Sequence, residues 1–306
     1  MINAAIIINP TAGKGRGLKL IEELKNFKIP SAVNLSIFIT EYPLHATEIS
    51  KNISRSFDRI IIAGGDGTLN EFTNGFDLEN EVWLGLLSIG SGNDFSLSLN
   101  KEPVDIQNYL KYFLSDNPDT LKIDLGALEL IDAGGKIHKR RFINSLGIGF
   151  DARVAYLNQT NKILSGSMSY YVAIIKAFLR FNSIDFHLNL DGKSFNKTAL
   201  FCSIGNGESV GAGLYLMPGA RISDGLLDLS IVNLKSRLKL IKLLPKAIKN
   251  QLKELPELEQ MKFKELNIEL RTPYYTHVDG EIVSTSSKKI KVKVLTEAIR
   301  FMILDI

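Results

Sequence analysis

The chain has 306 residues, with 37 Lys and Arg against 33 Asp and Glu, so its formal net charge is only +4. This length favours two medium-sized domains over one. The positive residues are spread along the chain without forming a basic block, which argues against nucleic acid as a partner. Cys202, in an apolar run, is the only cysteine. No internal disulfide can form, and a cytoplasmic location is expected.

The N-terminal residues lack the positive start of a signal peptide and predict a buried strand just before Asn9. The apolar stretch at 170–181 is interrupted by Lys176 and Arg180. No segment therefore reaches the ~18 apolar residues that a membrane-spanning helix needs. We expect a soluble protein whose membrane contact, if any, is peripheral, on the inner face of the cell membrane.

The first third of the chain alternates short β-branched runs with helical patterns. Strands are expected over 4–8, 35–39, 59–63 and 83–88, and helices from about Leu18, His45 and Leu69 and over 104–114. This alternation is typical of a parallel sheet covered by helices.

After Leu121 the pattern changes to closely spaced strands broken by Gly, Asn and Asp. Strands are expected over 122–131, 140–148, 183–190, 198–204, 226–232, 263–270 and 288–294, with helices near 167–181 and 236–255, the second kinked or split at Pro245. Such spacing indicates an antiparallel sandwich. We predict an α/β domain over 1–123 with glycine-rich turns and a mainly antiparallel β-sandwich over 124–294. The last strand, 298–303, fits either domain, so 295–306 can return to the first.

A glycine-rich turn, GGDGT at 64–68, joins the third strand to the following helix. Glycines let the backbone approach a phosphate, and the helix start offers N–H groups reinforced by the helix dipole. Thr68 can cap the helix or bind a phosphate oxygen, while Asp66 is best explained by a nearby Mg²⁺ ion. An ordinary strand–helix turn is the alternative, which an acid and a hydroxyl between glycines disfavour.

Two further loops follow apolar strands, NPTAGKGRG at 9–17 and SIGSGNDF at 88–95. The first matches neither a Walker A loop nor the dinucleotide fingerprint. Its Lys14 and Arg16 either neutralise phosphate or are solvated loop cations. Because parallel strands bring their carboxyl ends to one edge of a sheet, the three loops should converge on one crevice.

These loops resemble the diacylglycerol kinase catalytic-domain family, which includes sphingosine kinases and bacterial lipid kinases. The resemblance extends over nearly the whole chain. It rests on Asn9-Pro10 with Gly13, Thr40 and His45-Ala46, the 64–68 turn with Asn70-Glu71, and the segments at 92–95, 123–126, 144–151, 224–228 and 277–281. Ser88 and Ser91 depart from the Pro and Thr usual in the family, although Ser91 keeps the hydroxyl.

The resemblance implies a kinase that transfers the γ-phosphate of ATP to the hydroxyl of a lipid alcohol such as diacylglycerol. It places the proton acceptor at Glu281, with Asp66, Asp94 and Asp124 joining the catalytic centre through water and Mg²⁺. On this hypothesis the glycine turn and Glu281 face a single gap between the domains. The implied ATP-binding residues are Asn9, Pro10, Thr11, Ala12, Gly13, Lys14, Thr40, Gly64, Gly65, Asp66, Gly67, Thr68, Asn70, Glu71, Ser91 and Asn93.

The resemblance also implies a structural Mg²⁺ bound by Asp224 and the main-chain oxygens of Arg221 and Leu226. From the residues alone, an Asp-Gly turn between strands is the alternative. Two segments are candidates for lipid contact: the basic, apolar run 235–253 at a membrane surface, and the aromatic run 167–181 lining an acyl-chain cleft. A solvated helix face and ordinary core are their alternatives. A homodimer is left open.

Three other functions remain as alternatives. NAD kinase and phosphofructokinase use a similar glycine turn, but the segments at 92–95 and 224–228 argue against them. GESVG at 207–211 matches a serine hydrolase elbow around Ser209, with Asp228 and His277 following, but the glycines after it disfavour the required helix. A lipid-binding protein without catalysis is disfavoured by Asp66, Asn70, Asp94 and Glu281.

Overall fold

The structure is a computed structural model of the chain. It describes residues 1–99, 105–160, 172–177, 183–211, 213–233 and 245–304. The chain divides into two compact units, Met1–Ile123 with Glu297–Ile306 and Asp124–Thr296. Two long strands, β5 (Thr120–Asp132) and β16 (Glu281–Met302), each begin in one unit and end in the other.

The first unit is built on a parallel sheet. Its elements are β1 (Ile2–Ile8), α1 (Arg16–Lys25), β2 (Val33–Ile39), α2 (His45–Ile53), β3 (Arg59–Gly64), α3 (Asp66–Gly75), β4 (Trp83–Ser88), α4 (Asp94–Leu99) and α5 (Ile106–Phe113). The strand order is β2, β1, β3, β4, all parallel, and Arg300 and Phe301 of β16 pair in parallel with β4. Parallel sheets are covered on both faces, which is why Ile60, Ile61 and Ile62 are all fully buried.

The second unit is mainly antiparallel. Its further elements are β6 (Ile137–Phe142), β7 (Ser145–Gly149), α6 (Phe150–Thr160), β8 (Ile184–Leu190), β9 (Lys193–Ala199), β10 (Phe201–Gly205), β11 (Ser209–Val210), β12 (Leu214–Tyr215), β13 (Leu227–Val232), β14 (Leu258–Phe263) and β15 (Glu265–Val278). Antiparallel pairing runs through β14, β13, β10, β7, β15 and β16, and β8 and β9 extend it from β15. The predicted fold class, a parallel α/β domain plus an antiparallel sandwich, is confirmed.

Several predicted element boundaries in the second unit are wrong. The single strand expected over 140–148 is two strands, β6 and β7, separated at Ile143 and Asn144. The strand expected over 263–270 is likewise divided between β14 and β15, and the helix α6 and the strand β9 were not predicted. The break at Ile143 turns backbone N–H groups toward the carboxylate of Asp279. Such a contact between distant segments leaves no local sequence pattern.

The last apolar strand is the end of β16, and residues 297–304 belong to the first unit. Of the two predicted helices in the second unit, residues 172–177 and 245–248 are helical. Helix 245–248 ends before Leu255, which follows a short 3₁₀ turn, Leu252–Glu254. The rest of the predicted aromatic helix, at 167–171 and 178–181, and of the basic segment, at 235–244, lies outside the described residues. Over the described parts of the chain, no helix is long and apolar enough to cross a membrane.

Candidate active site

Three loops at the carboxyl ends of β1, β3 and β4 pack together in the first unit: the β1 loop (residues 9–17), the glycine turn (64–68) and the β4 loop (88–95). A Cβ atom added to Gly13 would lie 1.8 Å from the carbonyl oxygen of Ile89. One added to Gly90 would lie 2.4 Å from the Cα atom of Gly65. The backbones can approach this closely because these positions have no side chain. The loops therefore converge, as their positions in the sheet predict.

The side chain of Asn9 joins the β1 loop to the glycine turn. Its Nδ2 donates to Thr68 Oγ1 (2.9 Å), while its Oδ1 accepts from the backbone N–H (3.0 Å) and the hydroxyl (2.8 Å) of Thr11. Since the Thr68 oxygen accepts from Asn9, its own proton is directed to a different acceptor. Thr68 also lies close over Gly64, where an added Cβ would meet it at 2.5 Å. A glycine is therefore required at that position.

Helix α3 begins directly in the glycine turn. Gly65 is the N-cap residue, with extended backbone angles (φ −104°, ψ −171°) and no side-chain capping hydrogen bond. The first N–H groups of any α-helix lack intrahelical acceptors and form the positive end of the helix dipole. Chemically, this arrangement favours a phosphate at the start of α3.

Asp66 connects the glycine turn to the β4 loop. Its Oδ2 accepts from the backbone N–H of Asp94 (3.1 Å), and its Oδ1 accepts from that of Phe95 (3.3 Å). Asp94 and Phe95 are the first residues of α4, so this carboxylate caps the N-terminus of α4. The sequence did not indicate this capping role. Whether Asp66 also lies near Mg²⁺ stays a prediction.

The β4 loop is held in shape by Asn93. Its backbone is left-handed (φ 58°), and its Nδ2 donates to the carbonyl oxygens of Ser88 and Gly90, both at 3.1 Å. Ser91, at the tip of the loop, is exposed. The Asn93 side chain thus supports the loop, and Ser91 is free of that supporting role.

The remaining predicted nucleotide-binding residues differ in their surroundings. Thr40 and Asn70 are buried, whereas Lys14 is exposed. The backbone N–H of Thr40 donates to Ile8 O at the end of β1 (2.9 Å). Three others are buried or partly buried: Pro10, Ala12 and Gly67. Lys14 is therefore the cation of this set with the freedom to reach a phosphate from solvent.

Glu71 lies where helices α2 and α3 meet. Its Oε2 accepts from the backbone N–H of Ala46 (3.3 Å), and its carbonyl oxygen accepts from Thr47 Oγ1 (2.8 Å). A carboxylate beside the first turn of α2 is favoured by the helix dipole. Glu71 therefore has a helix-capping role that the sequence did not indicate, and ATP binding by Glu71 stays a prediction.

In the second unit, Asp124 is almost completely buried (1% exposed). Its Oδ2 accepts from the backbone N–H of Gly225 (2.7 Å), and its own N–H donates to Ile222 O (2.7 Å). Its carbonyl oxygen accepts from Asn206 Nδ2 (2.7 Å). Asp124 thus holds the loop that carries Asp224.

The predicted metal ligand Asp224 is engaged by a lysine. Lys262 Nζ lies 2.6 Å from Asp224 Oδ2 and 3.1 Å from Asp228 Oδ2. The other Asp224 oxygen, Oδ1, accepts from the backbone N–H of Leu226 (3.2 Å). In the part of the chain that the structure describes, no group of three or more His, Cys, Asp or Glu side chains is placed to hold a metal ion. The ammonium of Lys262 thus occupies one oxygen of Asp224, and binding of Mg²⁺ by Asp224 with the carbonyls of Arg221 and Leu226 stays a prediction.

The pKa values of Asp228 and Lys262 are both shifted by burial and by the ion pairs at Lys262. Burial raises the pKa of the Asp228 carboxyl above its ordinary value, against the opposing hydrogen bond from Lys262. Burial acts to lower the pKa of Lys262, but its hydrogen bonds to Asp224 and Asp228 outweigh this, and the pKa is raised. The ammonium form of Lys262 is therefore favoured in this position.

Glu281 is the first residue of β16, after the two-residue turn Asp279-Gly280 that joins β15 to β16. Both turn residues have positive φ angles, 47° and 85°, and Val278 pairs with Glu281 across the hairpin. This is the geometry of a type I′ turn, for which Asp-Gly is a favoured sequence. Glu281 itself is partly buried.

Ser209 does not lie in a nucleophile elbow. It is 1% exposed and begins the short strand β11, which pairs with β12. An elbow needs a helix directly after the serine. His277, the proposed partner, lies instead 3.7 Å from Asp151 Oδ2. The structure therefore gives no support to the hydrolase alternative.

The architecture defines a class of protein. A solved NAD kinase from Archaeoglobus fulgidus in complex with ATP superposes with a TM-score of 0.52 at 11% identity, covering 98% of this chain and 93% of that chain. A solved diacylglycerol kinase from Bacillus anthracis str. Sterne superposes with a TM-score of 0.72 at 22% identity, covering 99% of this chain and 97% of that chain. These two likenesses show the fold, which is that of the diacylglycerol kinase and NAD kinase structures.

Sequence comparisons identify the family. The diacylglycerol kinase catalytic domain matches residues 3–127, and the YegS C-terminal NAD kinase beta sandwich-like domain matches residues 144–303. The diacylglycerol kinase of Staphylococcus haemolyticus (strain JCSC1435) is 30% identical over 281 residues, covering 91% of this chain and 82% of that protein. That of Staphylococcus aureus (strain JH9) is 30% identical over 289 residues, covering 91% and 85%. The chain belongs to the diacylglycerol kinase family and is a kinase.

Proposed function

We propose that this kinase transfers the γ-phosphate of ATP to the hydroxyl of a lipid alcohol, with diacylglycerol as the acceptor and phosphatidic acid as the product. The observation that carries the proposal is the convergence of the β1 loop, the glycine turn and the β4 loop at the start of α3. The choice of acceptor is supported by the two staphylococcal relatives, which are named diacylglycerol kinases.

In this proposal the glycine turn binds the ATP phosphates. The backbone N–H groups at the start of α3 face them, and the hydroxyl of Thr68, held by Asn9, donates to a phosphate oxygen. Lys14, exposed on the β1 loop, neutralises part of the phosphate charge. The ATP substrate carries Mg²⁺, which shields the charge of its phosphates.

On the acceptor side, Glu281 takes the proton of the lipid hydroxyl as the oxygen attacks the γ-phosphorus. Because the transition state for phosphoryl transfer is loose, alignment and charge stabilisation carry most of the acceleration. A general base contributes about 10²–10⁴-fold. The proposal therefore requires Glu281 and the glycine turn to act on the same pair of substrates.

The experiment incubates the purified protein with γ-labelled ATP and mixed vesicles containing diacylglycerol, and identifies the labelled lipid. Labelled phosphatidic acid is expected. A parallel incubation with total lipid extract detects a different lipid acceptor, and one with NAD detects the NAD kinase alternative. The proposal would be contradicted if ATP were consumed without labelling any of these acceptors. It would also be contradicted if no ATP were turned over at all.

The variant Glu281→Gln tests the base. We expect kcat to fall about 10²–10⁴-fold, with the dissociation constant of ATP unchanged, because the carboxylate is lost and the glycine turn is untouched. Glu269→Gln is the matched control, since Glu269 is an exposed carboxylate on the neighbouring strand β15. An active Glu281→Gln protein would remove Glu281 from the mechanism while leaving the lipid kinase assignment intact.

A further inference from the structure

Two hairpin turns of the second unit are almost identical in backbone geometry. Asp191-Gly192 joins β8 to β9 with φ angles of 45° and 85°, and Asp279-Gly280 joins β15 to β16 with φ angles of 47° and 85°. In each, the aspartate N–H donates to a distant carbonyl, Glu265 O (3.0 Å) for Asp191 and Ser145 O (2.8 Å) for Asp279. The Asp191-Gly192 turn is therefore a control within the same chain for the Asp279-Gly280 turn, because only the second turn precedes Glu281.

The carboxylate of Asp279 accepts three backbone N–H groups from one short segment. Oδ2 accepts from Ile143 (3.0 Å), and Oδ1 accepts from Asn144 (3.0 Å) and Ser145 (2.7 Å). Ile143 and Asn144 form the break between β6 and β7, and Ser145 is the first residue of β7. Hydrogen bonds from several amides to one carboxylate are strong and directional. They tie the hairpin tip to a segment 134 to 136 residues away in sequence.

A second contact holds the other residue of the turn. The Gly280 N–H donates to His277 Nδ1 (3.2 Å), so the ring proton of His277 belongs on Nε2. Nε2 lies 3.7 Å from Asp151 Oδ2, and that carboxylate also accepts a hydrogen bond from the Ser203 hydroxyl. His277, Asp151 and Ser203 are all more than nine-tenths buried. The imidazole is therefore buried, with Nδ1 bonded to the turn and Nε2 on the side of the Asp151 carboxylate.

We propose that Asp279 is a positioning residue for the catalytic base, with His277 as its support. The inference rests on the proposed role of Glu281. Glu281 follows Gly280 directly, so the hydrogen bonds that locate Asp279 and Gly280 also set the position and direction of the first residue of β16. Asp279 acts through the backbone, and Glu281 alone contacts the substrate hydroxyl.

The main test is Asp279→Asn, measured against Asp191→Asn. An amide has nearly the shape of a carboxylate but can accept with only one of its two end atoms, so one N–H of the 143–145 segment faces an NH₂ group. We expect kcat to fall about 10–100-fold, as for a base displaced by a fraction of an ångström to an ångström. The KM for ATP should stay unchanged. Asp191→Asn removes the same kind of contact, to Lys264 and Glu265 N–H groups, and should leave kcat unchanged.

A double-mutant cycle separates positioning from general destabilisation. If Asp279 acts through Glu281, then Asp279→Asn causes no further loss of kcat in a Glu281→Gln background. Additive losses would overturn the proposal, as would equal losses of kcat in Asp279→Asn and Asp191→Asn. If Glu281→Gln alone has no effect, the proposed base fails. A strong effect of Glu281→Gln with none of Asp279→Asn refutes only the positioning role.

His277 provides a second pair of variants in case Asp279→Asn does not fold. His277→Leu removes the acceptor for the Gly280 N–H, whereas His277→Asn can place Oδ1 where Nδ1 lies. We expect kcat to fall in the leucine variant and to be largely restored in the asparagine variant, with unchanged ATP binding in both. Equal activity of the two variants would contradict a role for this hydrogen bond.

Discussion

The glycine turn of the first unit and the Asp279-Gly280 turn of the second show two different ways of building a site. In the first, the approach of backbone to backbone decides the geometry, as between Gly90 and Gly65. In the second, a carboxylate gathers backbone N–H groups from a distant segment. The first should therefore be sensitive to added volume, and the second to a change of charge or protonation. Four predictions test this contrast between close backbone packing in the first unit and charge contacts in the second, from the largest expected effect to the smallest.

Adding a methyl group to the first region should have the largest effect. In Gly90→Ala the new Cβ would lie 2.4 Å from Gly65 Cα, which is backbone and cannot rotate away. Overpacking costs about 1–3 kcal/mol, and the β4 loop must move away from the glycine turn to relieve it. If that movement removes about 1.4 kcal/mol of binding free energy, ATP affinity falls about tenfold. The measurement is ATP binding by calorimetry.

Gly134→Ala is the matched control for that variant. Gly134 lies in the β5–β6 turn, where an added Cβ comes no nearer than 3.3 Å to Asp132 Oδ1, a side-chain atom. Its ATP affinity should match that of the unmodified chain. A folded Gly90→Ala protein with normal ATP affinity would mean that the loop contact does not shape the phosphate site.

Removing a charge elsewhere in the second unit should have an intermediate effect. Lys262→Met leaves the buried carboxylate of Asp228 without its ammonium partner. We expect a loss of about 1–2 kcal/mol in the free energy of unfolding, less than for a fully buried pair because Lys262 is partly exposed. Urea unfolding measures this loss.

Added Mg²⁺ distinguishes two explanations of Asp224, as a metal ligand or as the ion-pair partner of Lys262. Without Lys262, Asp224 and Asp228 present two carboxylates to a cation, so Mg²⁺ should raise the stability of Lys262→Met more than that of the unmodified chain. Lys289→Met, which breaks the exposed pair with Glu269 (2.7 Å), is the control and should show little change of either kind. Equal Mg²⁺ stabilisation with and without Lys262 would show that the lysine does not compete with the ion.

The smallest expected effect is the loss of stability at low pH that comes from Glu265. Hydrogen bonds from Lys293 and Lys291 lower the pKa of Glu265 from 4.5 to about 2. A carboxyl group whose pKa is lowered by folding stabilises the folded state at pH values above its pKa in the unfolded chain. That stabilisation is lost as the pH falls from 4.5 toward 2. Glu265→Gln should therefore be less stable than the unmodified chain at pH 7 and equal to it near the bottom of that window. Thermal unfolding across this pH range checks it, and added salt should shrink the difference. A difference that persists at the lowest pH would exclude these ion pairs as its cause.

The two regions also differ in how well they could be predicted. The strands of the first unit, the glycine turn and the convergence of the three loops all follow from local patterns. The capping roles of Asp66 and Glu71 do not, since each depends on a helix start that lies close only in the folded chain. An Asp-Gly pair between two predicted strands indicates a hairpin turn, and Asp191 and Asp279 both fit that pattern, so turn chemistry does not distinguish them.

The α/β and antiparallel sandwich classes, the glycine-rich turn after β3 and, through the motifs, the kinase family could all be predicted from the order of the amino acids. Periodicity, glycine spacing and turn residues act over a few positions, so they can be recognised in the sequence without a structure. The folded chain was needed to show that β6 and β7 separate at Ile143, that Asp279 binds the N–H groups exposed there, and that Lys262 pairs with Asp224. Those features depend on contacts between backbone and charged groups that are far apart in the sequence, and no local pattern encodes such contacts.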